Sequence, residues 1–257
     1  MNSNCKGLVY IHMPNVVIKI HDLKKYFGGL KAVDGVSFEL HPSEVVGLVG
    51  PNGSGKTTVT NLISGLLRID SGHVSLGSRT HERILPWQVA ALGICRTFQE
   101  VRLFPQMTVL DNMLVAVTPR EPLASLFSNI DESHAANVEN LLTRFNLWEK
   151  RHTLANNLSY GQRKLLEIAR VLAMSCPVIL LDEPFAGLFP SMVEMVKQTV
   201  KALRDEGKTI LLIEHNMELI REVCDRLIVM DAGKILAQGN PSEVLKKKEV
   251  IEAYLGV

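Results

Sequence analysis

Gly50-Pro51-Asn52-Gly53-Ser54-Gly55-Lys56-Thr57 is a complete GxxxxGK[ST] run, and its residue types suit one chemistry. Glycines let the backbone turn tightly enough for successive amides to converge on a polyphosphate. The Lys56 ammonium supplies a point charge for the outer phosphates, the Thr57 hydroxyl can complete a magnesium shell, and Thr58 is a further phosphate contact. Such a site takes a nucleoside triphosphate. Asp182 and Glu183 close the apolar run Val178-Ile179-Leu180-Leu181. Carboxylates at the carboxyl end of a buried strand lie where ligands sit in open α/β sheets. Asp182 is placed to hold magnesium, directly or through water, and Glu183 to take a proton from an attacking water.

The elements that must position these groups are legible around them. Residues 45–49 form a short apolar run that suits a buried parallel strand, and residues 58–67 have the apolar spacing of a helix. Strand, loop and helix then aim a helix N-terminus at the phosphates. Residues 16–20 and 36–40 alternate apolar and polar side chains around a Gly28-Gly29 turn, as half-buried antiparallel strands do, and residues 74–76 add a strand after an Asp70-Ser71-Gly72 turn. Residues 107–117 and 138–148 read as helices flanking a polar stretch at 118–133. Beyond them come a helix at 161–173, a strand at 178–181, a helix at 191–204, a strand at 209–213, a helix at 217–224 and strands at 226–230 and 234–238. Alternating strands and helices predict a mostly parallel sheet with right-handed crossovers.

Composition narrows the function classes. With 257 residues, 46% of them hydrophobic, the chain can bury a sizeable core. A formal net charge of +1 supplies no global field for nucleic acid, so no nucleic-acid partner is expected, and Lys246-Lys247-Lys248 reads as a solvated helix face. Cys5, Cys95, Cys176 and Cys224 have neither CxxC nor zinc spacing, which predicts reduced thiols in a cytoplasmic protein, without a structural disulfide or zinc. No apolar run approaches the roughly 18 residues that span a bilayer, and the N-terminus lacks a secretory pattern. A membrane role therefore has to come through a partner.

Leu158-Ser159-Tyr160-Gly161-Gln162 opens a helix whose core positions are Leu165, Leu166, Ile168, Ala169 and Leu172. Alone, Ser159 is an ordinary N-cap. Between a phosphate loop and an Asp182-Glu183 strand end, the pentapeptide matches the LSxGQ signature, and the chain resembles the ATP-binding cassette (ABC) ATPases from about Val16 onward. That resemblance implies an α/β fold with a P-loop NTPase (RecA-like) core, an antiparallel β subdomain and an inserted α-helical subdomain at about 99–160. Residues 1–15 are an N-terminal extension, and 16–257 are the ATPase domain. It implies ATP and Mg2+, with Thr57, Gln99 and Asp182 around the metal. The catalytic set is Lys56, Glu183, Gln99 beside the attacking water, and His215 as the γ-phosphate switch. Phe27 matches the aromatic that stacks on adenine, with Tyr26 as the neighbouring alternative. The family pairs two ATPase subunits head to tail, so Ser159, Gly161 and Gln162 act on nucleotide held by the other subunit's phosphate loop.

Phe27-Gly28-Gly29-Leu30-Lys31-Ala32-Val33, Arg96-Thr97-Phe98-Gln99, Ala186-Gly187-Leu188 and the ending Val250-Ile251-Glu252-Ala253-Tyr254-Leu255-Gly256 are similar to the LivG-type ATPases of branched-chain amino acid importers. The implied partners are transmembrane permease subunits, a second ABC ATPase subunit in a homo- or heterodimer, and, through the complex, a periplasmic or extracellular substrate-binding protein. The implied location is peripheral, on the cytoplasmic face of the cell membrane. The ATPases of lipopolysaccharide export resemble this group closely, and a soluble ABC ATPase uncoupled from transport shares the motifs; membrane copurification separates these alternatives. Three departures stand out: Phe189 where cassettes usually have Asp or Asn, Asn216 where Asp is common after the histidine, and a short linker at 118–133.

Overall fold

The computed structural model describes residues 17–118 and 132–255. The extension expected at 1–15 and most of the linker lie outside the described residues. The chain opens with β1 (Ile18–Phe27), β2 (Leu30–Leu40) and β3 (Val45–Val49), followed by α1 (Lys56–Ile63). Next come β4 (Ser71–Leu76), β5 (Arg79–His81), β6 (Ile94–Arg96), α2 (Val109–Val117) and α3 (Glu132–Arg144). After them stand α4 (Tyr160–Ala173), β7 (Val178–Asp182), α5 (Pro190–Asp205), β8 (Thr209–Ile213) and α6 (Met217–Val223). The chain closes with β9 (Arg226–Asp231), β10 (Lys234–Gly239), α7 (Pro241–Val244) and α8 (Lys248–Leu255).

One sheet has the order β10-β9-β3-β8-β7-β6, with β10 antiparallel and the other pairings parallel. β3, β7 and β8 are buried along their whole length, which is why they read as continuous apolar runs. Their period of two sends alternate side chains to opposite faces. Val45, Val49, Ile179 and Leu181 face a core shared with α2 to α6. Val46, Leu48, Val178 and Leu180 face a second core, which holds Val59, Leu62 and Ile63 of α1 and the inner face of the antiparallel sheet β2-β1-β4-β5. Helix α1 thus lies between the two sheets, with its first turn at the ends of β3 and β7.

Several boundaries differ from expectation. β1 runs on to Phe27 because register shifts after Ile20 and Lys25 break the period-two pattern, and Asp22 turns at φ 46. Ser71 and Gly72 begin β4 rather than make a turn; the Asp70 carboxylate accepts from the Tyr26 amide at 2.8 Å and Lys25 Nζ at 2.7 Å, docking that corner on β1. α1 starts at Lys56 and ends at Ile63, with Ser64 as its C-cap, whose hydroxyl donates to the Thr60 carbonyl at 2.6 Å. α3 stops at Arg144, Asn146 adopts φ 55, and the remainder of the expected helix is a short turn around Trp148. β5 and β6, three residues each, are too short to show a period. Lys246 and Lys247 occupy the exposed turn between α7 and α8, not a helix face. Among the described residues, no helix is long and apolar enough to cross a membrane.

Candidate nucleotide site

β3 delivers the loop at Gly50, where φ is 149 and a Cβ would lie 2.1 Å from the Met230 carbonyl oxygen. Gly55, at φ 103, would place a Cβ 2.4 Å from the Ala32 oxygen. Only glycine fits either place. Lys56 Nζ curls back across the loop and donates to Gly50 O at 2.8 Å, Pro51 O at 2.9 Å and Ser54 Oγ at 3.4 Å. Burial lowers the Lys56 pKa, partly offset by Glu183 and Asp182. α1 has no side-chain N-cap and no acid in its first turn, so its leading amides and positive dipole end are left for an anion.

At the end of β7 the two carboxylates diverge. Asp182 is buried; its Oδ2 accepts from Arg96 Nη2 at 2.8 Å, and its amide donates to Thr97 Oγ1 at 3.0 Å. Arg96 Nη1 also reaches Asn61 Oδ1 at 2.7 Å and Ser64 Oγ at 2.8 Å, tying the carboxylate to α1. Glu183 adopts φ 48, unusual for a residue with a Cβ. Its amide donates to the Ile213 carbonyl at 3.0 Å, which pins the turn to β8. The Glu183 side chain is thereby swung toward Gln99, whose Nε2 is 3.4 Å from both carboxylate oxygens, and toward His215, whose Nε2 is 3.1 Å from Oε1. Next to His215, buried Glu214 accepts from the Phe185 amide at 3.2 Å and the His215 amide at 3.1 Å, and burial pushes its pKa up.

Lys56, Gln99, Glu183 and His215 meet at one cleft of about 680 Å³. Phe27, Asn52, Gly53, Gly55, Lys56, Thr57, Thr58, Gln99, Glu183 and His215 line it; Gly50, Pro51, Ser54 and Asp182 do not, and Ser54 and Asp182 are buried. Phe27 is 46% exposed at the cleft, whereas the Tyr26 hydroxyl donates to Asp34 Oδ1 at 2.7 Å and is engaged within the β layer. Thr57 and Gln99 line the cleft and Asp182 lies buried at the end of β7; their hydroxyl, amide and carboxylate oxygens are hard donors of the kind Mg2+ takes, and Arg96 bonds only Oδ2 of Asp182.

Ser159, Gly161 and Gln162 lie outside this cleft. Ser159 caps α4 in a reciprocal box: the Gln162 amide donates to Ser159 Oγ at 3.3 Å, and the Ser159 amide to Gln162 Oε1 at 3.2 Å. Gly161 is buried against α5, where a Cβ would meet Met192 Sδ at 2.8 Å. Ser159 itself is exposed. Asn216 caps α6 by accepting from the Glu218 amide at 2.9 Å and the Leu219 amide at 3.3 Å, so it does the capping that Asp would do. Phe189 occupies the N-cap of α5 without a side-chain bond and is 68% exposed. Sequence reasoning missed Leu30, Lys31 and Ala32 on the cleft wall, and Arg96 behind it. The first three were visible as the residues following the adenine-side aromatic; Arg96 stood in the Arg96-Thr97-Phe98-Gln99 run, but nothing local marked Asp182 as its partner.

A parallel sheet with a phosphate loop at β3, paired carboxylates at β7 and a glutamine and a histidine meeting at Glu183 defines a P-loop ATPase of the cassette class. The sequence model described as ABC transporter matches residues 33–186, and the chain belongs to this family as an ATP-hydrolysing, nucleotide-binding subunit. It is 41% identical over 254 residues to the high-affinity branched-chain amino acid transport ATP-binding protein LivG of Salmonella typhimurium, covering 95% of this chain and 99% of that one. It is 34% identical over 240 residues to the lipopolysaccharide export system ATP-binding protein LptB of Haemophilus influenzae, covering 93% and 97%. The solved ADP conformation of MJ1267, an ATP-binding cassette of an ABC transporter, superimposes with a TM-score of 0.82 at 35% identity, covering 94% of this chain and 99% of that one.

Proposed function

We propose that this chain energises a separate transmembrane permease that imports branched-chain amino acids, working on the cytoplasmic face of the membrane as one of two ATPase subunits. The observation that carries the shared-site reading is the separation within one chain: Lys56, Gln99, Glu183 and His215 face one cleft, while exposed Ser159 lies off it. In a head-to-tail pair, each cleft receives Ser159, Gly161 and Gln162 from the other subunit. The second subunit is a copy of this chain or a related ATPase. A substrate-binding protein joins through the permease.

In this reading residues 16–257 are the ATPase domain, and the helical subdomain at about 99–160 faces the permease. Lys56 and the amides of the loop bind the outer phosphates, and Phe27 stacks on adenine. Thr57, Gln99 and Asp182 would hold Mg2+, which when bound would supply positive charge against the phosphates. Glu183 takes the proton of the attacking water, Gln99 orients that water, and His215 contacts the γ-phosphate and steadies Glu183. ATP favours the closed pair and hydrolysis the open one, and this difference in affinity moves the permease between two states.

Glu183→Gln is expected to keep nucleotide affinity while hydrolysis falls by about 10²–10⁴-fold; unchanged turnover would remove Glu183 from the base role. The similarity to the lipopolysaccharide export ATPase supports a second reading in which the direction is export. Copurification with importer permease subunits supports the first reading, and copurification with export-type membrane subunits the second.

A further inference from the structure

On α4, Lys164 and Glu167 stand three residues apart, in line with Gly161 and Ile168 on the buried face, and they are 0% and 2% exposed. Burying charges is costly unless their geometry repays it. The partners here are backbone groups of the segment that carries Gln99. Lys164 Nζ donates to the Phe98 and Gln99 carbonyls, each at 3.4 Å, and Glu167 Oε1 accepts from the Arg102 amide at 3.2 Å. Glu167 Oε2 has no hydrogen-bond partner. The Phe98 ring also meets two guanidiniums, Arg102 at 3.8 Å and Arg96 at 5.2 Å from its centre. Neither Lys164 nor Glu167 lines the nucleotide cleft.

We propose that Lys164 and Glu167 are positioning residues that clamp the backbone of residues 98–102 to α4, so that Gln99 moves with the helix whose N-cap is Ser159. The inference rests on the shared-site reading and deepens it. Nucleotide contacted by Ser159 in one cleft shifts α4, and α4 carries Gln99 toward or away from Glu183 in the other. The two clefts are then coupled through a single helix in each subunit.

The decisive variant is Lys164→Met combined with Glu167→Leu in the full chain. Replacing both buried charges removes their desolvation cost but leaves the Arg102 amide and the Phe98 and Gln99 carbonyls without their side-chain partners, so stability is read separately from the clamp. Melting temperature, ATP affinity, steady-state hydrolysis and amide hydrogen exchange are measured together. A cooperative melt and unchanged ATP affinity are expected, with hydrolysis lowered about tenfold or more, the scale of a misplaced catalytic group, and faster exchange across residues 98–102. Wild-type hydrolysis with wild-type protection overturns the clamp, as does a parallel loss of affinity.

A second pair of variants guards against a double variant that fails to fold. Glu167→Gln keeps an acceptor for the Arg102 amide and is expected to hydrolyse ATP near the wild-type rate, whereas Glu167→Leu loses it; equal rates overturn the proposal. Full hydrolysis by a wild-type chain held as a monomer overturns the shared-site reading and, with it, the coupling of the two clefts. Active wild type with unaltered variants overturns the clamp alone.

Discussion

Glu183 is held in a left-handed backbone conformation that costs a residue with a Cβ on the order of 1–3 kcal/mol. The bond from its amide to Ile213 helps hold that conformation, which places the carboxylate beside both Gln99 and His215. Its neighbour Asp182 is fixed differently, by the buried pair with Arg96. Arg96→Met leaves that carboxylate buried without its cation, and breaking such a pair costs about 3–5 kcal/mol. A lowered denaturant midpoint checks this; an unchanged midpoint shows that Asp182 finds solvent or another partner. The place of Asp182 and Glu183 at a strand end could be read from the apolar run before them. Arg96 could not, because it lies far from Asp182 in sequence and only the pairing of β6 with β7 brings them together.

At the scale of elements, α5 begins on an exposed Phe189 where a polar cap is the favourable choice. Phe189→Asp is expected to stabilise the isolated chain by about 0.5–2 kcal/mol, seen as a higher melting temperature; no change or a fall contradicts the capping argument. Glu214 supports the junction between β8 and His215 from a buried position that raises its pKa. Between its ordinary and raised values the folded state holds the proton more tightly than the unfolded chain, so stability falls as pH rises through that window. Glu214→Gln is expected to flatten this fall in a series of melts from the ordinary carboxylate range upward, and a profile parallel to wild type contradicts it. Elements buried on both faces, β3, β7 and β8, were legible nearly to the residue, because burial made each a continuous apolar run. β1 was not, because its bulges break alternation. Lys164 and Glu167 could have been noticed as charges on an apolar helix stripe, but the backbone they hold is placed by the fold.

For the whole molecule, the important division is between the cleft at the ends of β3, β7 and β8 and the exposed N-cap of α4. Within one chain the phosphate loop and Ser159 do not meet, so a single subunit is expected to bind nucleotide and hydrolyse it poorly. Complementation measures this directly. Lys56→Ala and Ser159→Ala chains are each prepared and assayed alone for ATP hydrolysis, then mixed, with the wild-type chain as the active reference. If this chain pairs with itself in the proposed head-to-tail manner, each variant alone makes two defective clefts, whereas a mixed dimer has one cleft with an intact Lys56 on one chain and an intact Ser159 on the other. The expected result is two inactive preparations whose mixture regains hydrolysis. A mixture as inactive as its folded components, beside an active wild type, would contradict a site shared between two subunits.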